Sequence, residues 1–509
     1  MSKLLQGGRI SKVKEEVVKF TSSLQSDRRL AWAIIKINQA HVIMLTEQKI
    51  IELHVGNKLL QALNKIKPKV KSRILVEDVH MLLEEKVLEL CGPEVGGNLH
   101  IAKSRNDQVA TAIRMELRER IIDVMDSIVN LQDALLNLAM RHINTIFPGY
   151  THMQPAQPIT FAHYLLSFVD CFSRDLQRLK EVYTRVNLCP MGAGALATSS
   201  FPVNRELVAE LLGFEGIVEN SLDAVGSRDF VVETIAAMAV TAVDISRLAQ
   251  DLILFGSSDF SLIELPDEFS STSSIMPQKK NPDLLEVIRA RMSQILGNFV
   301  SSFSMLKALP SGYNLDFQEV TPVLWESLDI IQESVEMLSS LIAGLNVNKE
   351  SILKDCYTFL AATELANMLV RKYKVPFRTS HRIVGSLVRE LLAGNSPLTD
   401  VNAELLNKTA EKFGLKLNVK NGDVTNAVNL AKIVENYSVR GGPSPAEVER
   451  MISNRKEILA SAKLNLARMR RKIRKAFKRL NSIVRSHLSS EAIPPESFKN
   501  LSPLGEEGL

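Results

Sequence analysis

One apolar repeat constrains this chain more than any other feature. Leu117, Ile121, Val124, Ile128, Leu131, Leu135 and Leu138 advance in alternating steps of four and three, and Leu324, Leu328, Ile331, Val335, Leu338, Ile342 and Leu345 repeat the pattern. Such spacing keeps one face of a helix apolar along its whole length and does not suit a strand, whose side chains alternate with period two. Leu165, Phe168, Val169, Phe172, Leu176, Leu179, Tyr183 and Val186 maintain a third apolar face, and the stretches around 228–255 and 283–306 do the same. Five long helices in the middle of one chain predict a bundle. Each would run some 35–45 Å at about 1.5 Å per residue, longer than a compact monomeric domain needs, so the bundle is expected to pack against copies of itself.

The rest of the chain agrees with an all-α fold. Only 24 Gly and 19 Pro occur among 509 residues, so turns are few, and 45% apolar with 23% charged positions excludes a disordered chain. The sequence divides into an N-terminal helical domain (1–104), the central long-helix bundle (105–352), a C-terminal helical domain rich in turns (353–460) and a basic extension (461–509). Cys91, Cys171, Cys189 and Cys356 lie far apart, with no C-x-x-C pair and no His at zinc spacing, which predicts no metal site and a reducing cytoplasm. The opening lacks the apolar stretch of a signal peptide, and the most apolar segment, Thr234 to Val243, is too short to span a membrane. The net charge of +5 is uneven: residues 458–490 hold ten Lys or Arg and no acid, leaving about −5 elsewhere. In that tail Leu466, Ile473, Phe477 and Leu480 share roughly one side of a basic helix. Such a helix can touch nucleic acid or an anionic membrane. It lacks the interleaved aromatics of a base-stacking surface, so it reads as a surface helix docked on the assembly with its charges solvated, and nucleic acid is not the expected partner.

Three polar, turn-rich stretches interrupt the long helices: Lys103 to Gln108 (KSRNDQ), Gly149 to Pro155 (GYTHMQP) and Ser270 to Pro282 (SSTSSIMPQKKNP). Ser104 or Asn106 can simply cap the helix that follows. His152 precedes Pro155 and Pro158 in a segment that cannot be regular helix; it serves either as a structural hydrogen-bonder or, if a carboxylate orients it, as a general acid or base. In the third stretch a run of hydroxyls is followed by Lys279 and Lys280 and then by Asn281-Pro282-Asp283 opening a helix. A helix start beside two ammonium groups favours a nearby anion. Nothing there matches G-x-S-x-G or a P-loop.

The block Ser273-Ser-Ile-Met-Pro-Gln-Lys-Lys-Asn-Pro-Asp283 resembles the signature loop of the fumarase/aspartase superfamily, G-S-S-x-M-P-x-K-x-N-P, and its Q-K-K-N-P-D form resembles the argininosuccinate lyases. Further matches in the family's order are Gly7-Gly8-Arg9, Ala40-His41, Ser104 to Gln108, Gly149 to Gln154, Gly192-Ala-Gly-Ala-Leu196, Asn220 to Val225 with Arg228-Asp-Phe230, Tyr313-Asn314 and Gln318-Glu319. The resemblance runs from about residue 5 to 460. It implies three mostly helical domains, a homotetramer with a central helix bundle and active sites shared between subunits, and reversible cleavage of argininosuccinate to arginine and fumarate without a cofactor.

The same resemblance assigns roles. Ser273 would be the base, its alkoxide favoured by Lys279 and the helix start near Asn281. His152 would be the acid that protonates the departing nitrogen, and Glu286 its carboxylate partner from another subunit. Ser104, Asn106, Thr151, Lys279 and Asn281 would bind carboxylates, while Arg105, Arg228, Tyr313 and Gln318 would line the rest of the site. Three positions depart from the family. Thr272 stands where Gly is usual before Ser-Ser, His100-Ile-Ala102 replaces H-T-G, and Thr321 replaces a common Lys. A sister lyase on another succinyl compound, a non-catalytic protein on the same scaffold and a nucleic-acid binder acting through the tail are the rival readings.

Overall fold

The computed structural model describes residues 13–68 and 76–489; Gly7-Gly8-Arg9 and the end of the basic extension, 490–509, lie outside the described residues. In the N-terminal part, helices α1 (Ala31–Glu47), α2 (Leu53–Lys65) and α3 (Val79–Gly96) pack together. The centre holds α4 (Arg105–Arg141), α5 (Phe161–Val186), the short α6 (Arg205–Leu212), α7 (Asp229–Gly256), α8 (Asp283–Leu306) and α9 (Asp316–Ala343). The five long members cover the apolar repeats except Leu345, which lies two residues past the end of α9, and Leu117, Ile121, Val124, Ile128, Leu131, Leu135 and Leu138 are all fully buried. Helices α10 (Ala362–Tyr373) and α11 (Phe377–Ala393) belong to a C-terminal unit with its own apolar core, around Leu365, Leu369, Ile383, Leu387 and Leu406. The last helix, α12 (Pro445–Ser489), returns to the central bundle.

Side-chain bonds give the helix directions. Gln132 of α4 donates to Val169 O of α5 (2.9 Å) and Arg114 to Arg185 O (2.7 Å), so these two run antiparallel. Tyr164 to Asp251 (3.2 Å) and Arg185 to Glu233 (2.7 Å) set α5 antiparallel to α7. Arg291 to Glu333 and Asn298 to Ser327 set α8 antiparallel to α9. Arg120 to Asp329 and Ser127 to Glu336 make α4 parallel to α9. One end of the bundle therefore gathers residues near 105, 186, 229, 306 and 316, and the opposite end those near 141, 161, 256, 283 and 343. The 28 residues of α7 separate the two ends by about 40 Å.

Two features differ from the sequence expectation. The Pro-rich stretch after α4 forms an antiparallel hairpin of β1 (Ile146–Thr151) and β2 (Gln154–Thr160). Pro148, Pro155 and Pro158 are tolerated there because a lone two-stranded ribbon has free edges, where a missing N–H breaks no ladder bond. Residue 460 falls inside α12, which continues without interruption because Leu459, Leu466, Ile473 and Leu480 are buried at steps of seven. The basic helix also docks on its own subunit: Lys463 pairs with Asp133 (3.0 Å), Arg470 with Asp123 (2.8 Å) and Arg479 with Glu210 (3.1 Å).

Candidate functional site

At the end of the bundle where α4 begins, Ser104 is the N-cap. Its hydroxyl accepts from Asn106 N (3.3 Å), and its own N–H donates to Asp107 Oδ1 (3.1 Å). The reciprocal arrangement satisfies donors that a helix start otherwise leaves without partners. Arg105 is held by Glu77 (2.9 Å) and Asp78 (3.2 Å) of the segment leading into α3. The Asn106 amide donates to Ala195 O (3.1 Å). His100-Ile-Ala102 leads into this turn, and Ala102 takes a left-handed φ of 58°, a conformation in which Gly carries no strain and an alanine costs about 1–2 kcal/mol.

Arg228 sits just before α7, buried, with its guanidinium 4.6 Å over the ring of Phe317. Its Nη1 donates to Ser227 O (2.7 Å) and Val225 O (3.3 Å), while Nε and Nη2 have no partner among the described residues. Burial pulls this guanidinium below its ordinary range, and Tyr313 opposes that shift. Tyr313 hydrogen-bonds Gln318; burial pushes its phenol up and the Arg228 charge holds it back. Thr321 is buried and its hydroxyl bonds Phe317 O (3.1 Å), so this position serves the helix from within. Ser104, Arg105, Asn106, Arg228, Tyr313 and Gln318 thus share one end of the bundle.

The remaining predicted residues occupy the other end. Thr151 and Gln154 close the β1–β2 hairpin, and the two residues between them, His152 and Met153, both have left-handed φ, 54° and 60°. Positive φ at both central positions is the geometry that matches strand twist in a two-residue hairpin, normally supplied by Asn-Gly. Here it lifts an exposed imidazole to the tip of the hairpin. Ser273 and Lys279 lie on the loop between β3 (Ser271–Thr272) and β4 (Lys280–Asn281), which pair antiparallel. Thr272 pairs with Lys280 in extended conformation, which a β-branched residue favours, so no glycine is needed at that position. The Ser273 hydroxyl oxygen accepts from Met276 N (3.1 Å) and Ile275 N (3.4 Å), while Lys279 is exposed. Lys280 is anchored to Asp267 (2.6 Å), and Asn281 donates to Ser271 Oγ (3.4 Å). Glu286 is exposed in the first turn of α8.

Sequence reasoning missed the groups beneath the first cluster. Asp107 is fully buried and accepts from Gly192 N (3.1 Å) and Gly194 N (2.8 Å) as well as from Ser104 N. Burial pushes its carboxyl up to about 6, against the pull of those backbone donors and of Lys103. Lys103 is buried against Asn38, and burial brings its ammonium down to about 8. The S-x-x-D spacing was a legible capping signal for Asp107. Nothing in the sequence reported its second set of partners. Among the described residues there is no cluster of His, Cys, Asp and Glu that could hold a metal ion, and no helix is long and apolar enough to cross a membrane.

Residues 8–297 match the family described as Lyase, and residues 359–435 match the argininosuccinate lyase C-terminal family. The argininosuccinate lyase of Methanocaldococcus jannaschii is 39% identical over 496 residues, covering 96% of this chain and 99% of that protein. That of Methanosarcina barkeri is 40% identical over 492 residues, with the same coverage of 96% and 99%. Among solved structures, EDDS lyase in complex with formate superimposes with a TM-score of 0.84 at 28% identity, covering 91% of this chain and 93% of that one. A class II fumarase from Schistosoma mansoni shares the fold, with a TM-score of 0.67 at 17% identity over 80% of this chain and 90% of that one.

Proposed function

Because the chain belongs to the argininosuccinate lyase family, we infer that it cleaves argininosuccinate reversibly to arginine and fumarate, the last step of arginine biosynthesis. The reaction removes a weakly acidic proton from the carbon beside a carboxylate and expels a guanidino nitrogen. The electrons of the broken C–H bond are first held by that carboxylate as an aci-carboxylate. They then form the C=C bond of fumarate as the C–N bond breaks. No oxidant or reductant enters, so the scheme requires no redox cofactor.

Fixed donors and cations that meet the developing charge supply much of the rate in such a step. Ser273 is the base in this reading. Its oxygen already accepts two backbone N–H bonds, and an alkoxide gains more from them than a hydroxyl does. Lys279 and Asn281 on the same loop, Thr151 on the hairpin, and Ser104 and Asn106 at the start of α4 bind the carboxylates. His152 protonates the leaving nitrogen, with Glu286 as its partner, a step worth roughly 10² to 10⁴ in rate. Arg105, Arg228, Tyr313 and Gln318 line the remainder.

The family match carries this reading, and the geometry adds a requirement to it: the matched segments lie at opposite ends of one bundle, about 40 Å apart, too far to meet on a single substrate within one chain. Copies packed antiparallel bring the α4 end of one against the Ser273 and His152 end of others, which supports a homotetramer whose active sites are shared between subunits. An apolar face for such packing exists on α8, where Leu296, Val300 and Phe303 are about half exposed (54–58%). Buried residues of the same helix, Leu285, Ile288, Met292 and Ile295, already pack inside the subunit. Unpaired Cys91, Cys171 and Cys189 support a reducing cytoplasm.

The test measures fumarate by its ultraviolet absorbance, and arginine among the products, after argininosuccinate is added to wild type and to Ser273→Ala. Both products from wild type, with loss of at least about a hundredfold in the variant, are expected. Adenylosuccinate and malate run in parallel; turnover of either in place of argininosuccinate would overturn the substrate assignment.

A further inference from the structure

The Asp107 carboxylate does more than a helix cap requires. One oxygen, Oδ1, completes the cap by accepting the Ser104 N–H (3.1 Å). The other, Oδ2, accepts from Gly192 N (3.1 Å) and Gly194 N (2.8 Å), two backbone donors of a loop 85 and 87 residues away in sequence. That loop can approach so closely because both donors are glycines in left-handed conformation, φ 85° and 62°. A Cβ at Gly194 would meet Thr198 O at 2.5 Å, and one at Gly192 would meet Arg205 Cγ at 2.7 Å. The next residue, Ala195, takes the Asn106 amide on its carbonyl (3.1 Å), and Leu196 O takes the Ser221 hydroxyl (2.8 Å). A single buried carboxylate therefore joins the first turn of α4 to the loop whose carbonyl orients the Asn106 side chain. With one amide N–H committed to Ala195, Asn106 keeps its second N–H for a ligand.

We propose that Asp107 is a positioning residue for substrate: by pinning the 192–196 loop to the start of α4, it holds the Asn106 amide in the orientation that binds a substrate carboxylate. The proposal rests on the reading of Asn106 as a carboxylate ligand. An amide in place of the carboxylate keeps the shape but turns an acceptor into a donor, so it faces at least one backbone N–H with another N–H. The loop tie is either broken or, where the amide oxygen stays on Gly192 and Gly194, weakened by loss of the carboxylate charge, and the loss is felt in binding, because Asn106 contacts the carboxylate in ground and transition states alike.

The experiment compares wild type, Asp107→Asn, Asn106→Ala and the double variant. It measures fumarate affinity by calorimetry and KM and kcat on argininosuccinate. Asp107→Asn is expected to weaken fumarate binding and raise KM by about tenfold while kcat changes by less than about threefold, a split that a mere loss of folded protein does not produce. The double variant is expected to bind no worse than Asn106→Ala alone, since both act through one amide. Unchanged fumarate affinity in Asp107→Asn, or fully additive losses in the double variant, would overturn the proposal. Should Asp107→Asn fail to fold, Ser221→Ala loosens the same loop without touching the buried carboxylate. It is expected to raise the fumarate Kd about two- to threefold, and no change overturns the proposal equally. A wild type that binds fumarate but does not turn over argininosuccinate refutes the assigned reaction, while the affinity comparison still decides the role of Asp107.

Discussion

At the scale of single residues, the polar groups beneath the α4 start have consequences for stability. His80 is buried with neither ring nitrogen bonded among the described residues, and burial, with the charges of Arg105 and Lys103, holds its pKa down at about 3. His41, bonded through Nε2 to Ile101 O (2.8 Å), is held down at about 3 by burial and the Lys103 charge against the pull of that bond. A histidine depressed below its ordinary value of about 6.5 contributes stability that is present above that pH and lost as pH falls toward the folded value. Asp107, raised to about 6, responds in the opposite sense. The informative quantity is therefore a difference between proteins: the melting temperature of His80→Phe relative to wild type should climb as pH is lowered from 7 to 5. A difference that stays constant over that range would contradict the assignment. Legibility at this scale was uneven. Ser104 as a cap followed from its position before an apolar run, whereas the left-handed φ of Ala102 and the second pair of donors on Asp107 depend on segments distant in sequence.

At the scale of elements, the long helices were readable because their apolar spacing is a property of each segment alone. Helix α12 shows the limit of that reading. Its charge run drew attention to the tail, yet the heptad of Leu459, Leu466, Ile473 and Leu480 explains why the helix crosses residue 460 and continues along α4. It also reaches the N-terminal part, where Lys36 donates to Asn481 (2.7 Å). Leu480→Ala should cost about 2–5 kcal/mol, since a fully buried side chain leaves a cavity. Lys475→Ala, at an exposed position five residues earlier, should stay within about 0.5 kcal/mol. Denaturation midpoints of the two variants check the contrast, and equal effects would mean that α12 is not docked as described. The hairpin was hidden for a different reason: its prolines argue against helix without arguing for a strand, and its turn places His and Met where Asn-Gly is usual.

At the scale of the whole molecule, the split of the site residues between two bundle ends makes a prediction that no single subunit can satisfy. Asn106→Ala damages the α4 end, and His152→Asn damages the hairpin end. If sites combine ends from different chains, co-expressing the two impaired variants must produce some assemblies with one undamaged site. Activity above the sum of the two variants assayed separately is the expected result. Strict additivity over a range of mixing ratios would show that each chain supplies a complete site. Phe303→Asp on the exposed face of α8 gives the companion test, since a charge at an apolar contact should shift the assembly toward smaller species in light scattering.

By itself the sequence determined the helical class, the presence of the long bundle helices and the three polar stretches, because apolar periodicity and turn chemistry act within a few residues. Tertiary structure alone decided which helices run together, and hence that Ser104, Asn106, Arg228 and Tyr313 share one end while His152, Ser273 and Glu286 occupy the other. It also decided that Asp107 ties Gly192 and Gly194 to the first turn of α4. The physical reason is that helix direction and loop closure are settled by packing between segments many tens of residues apart, which no local pattern encodes.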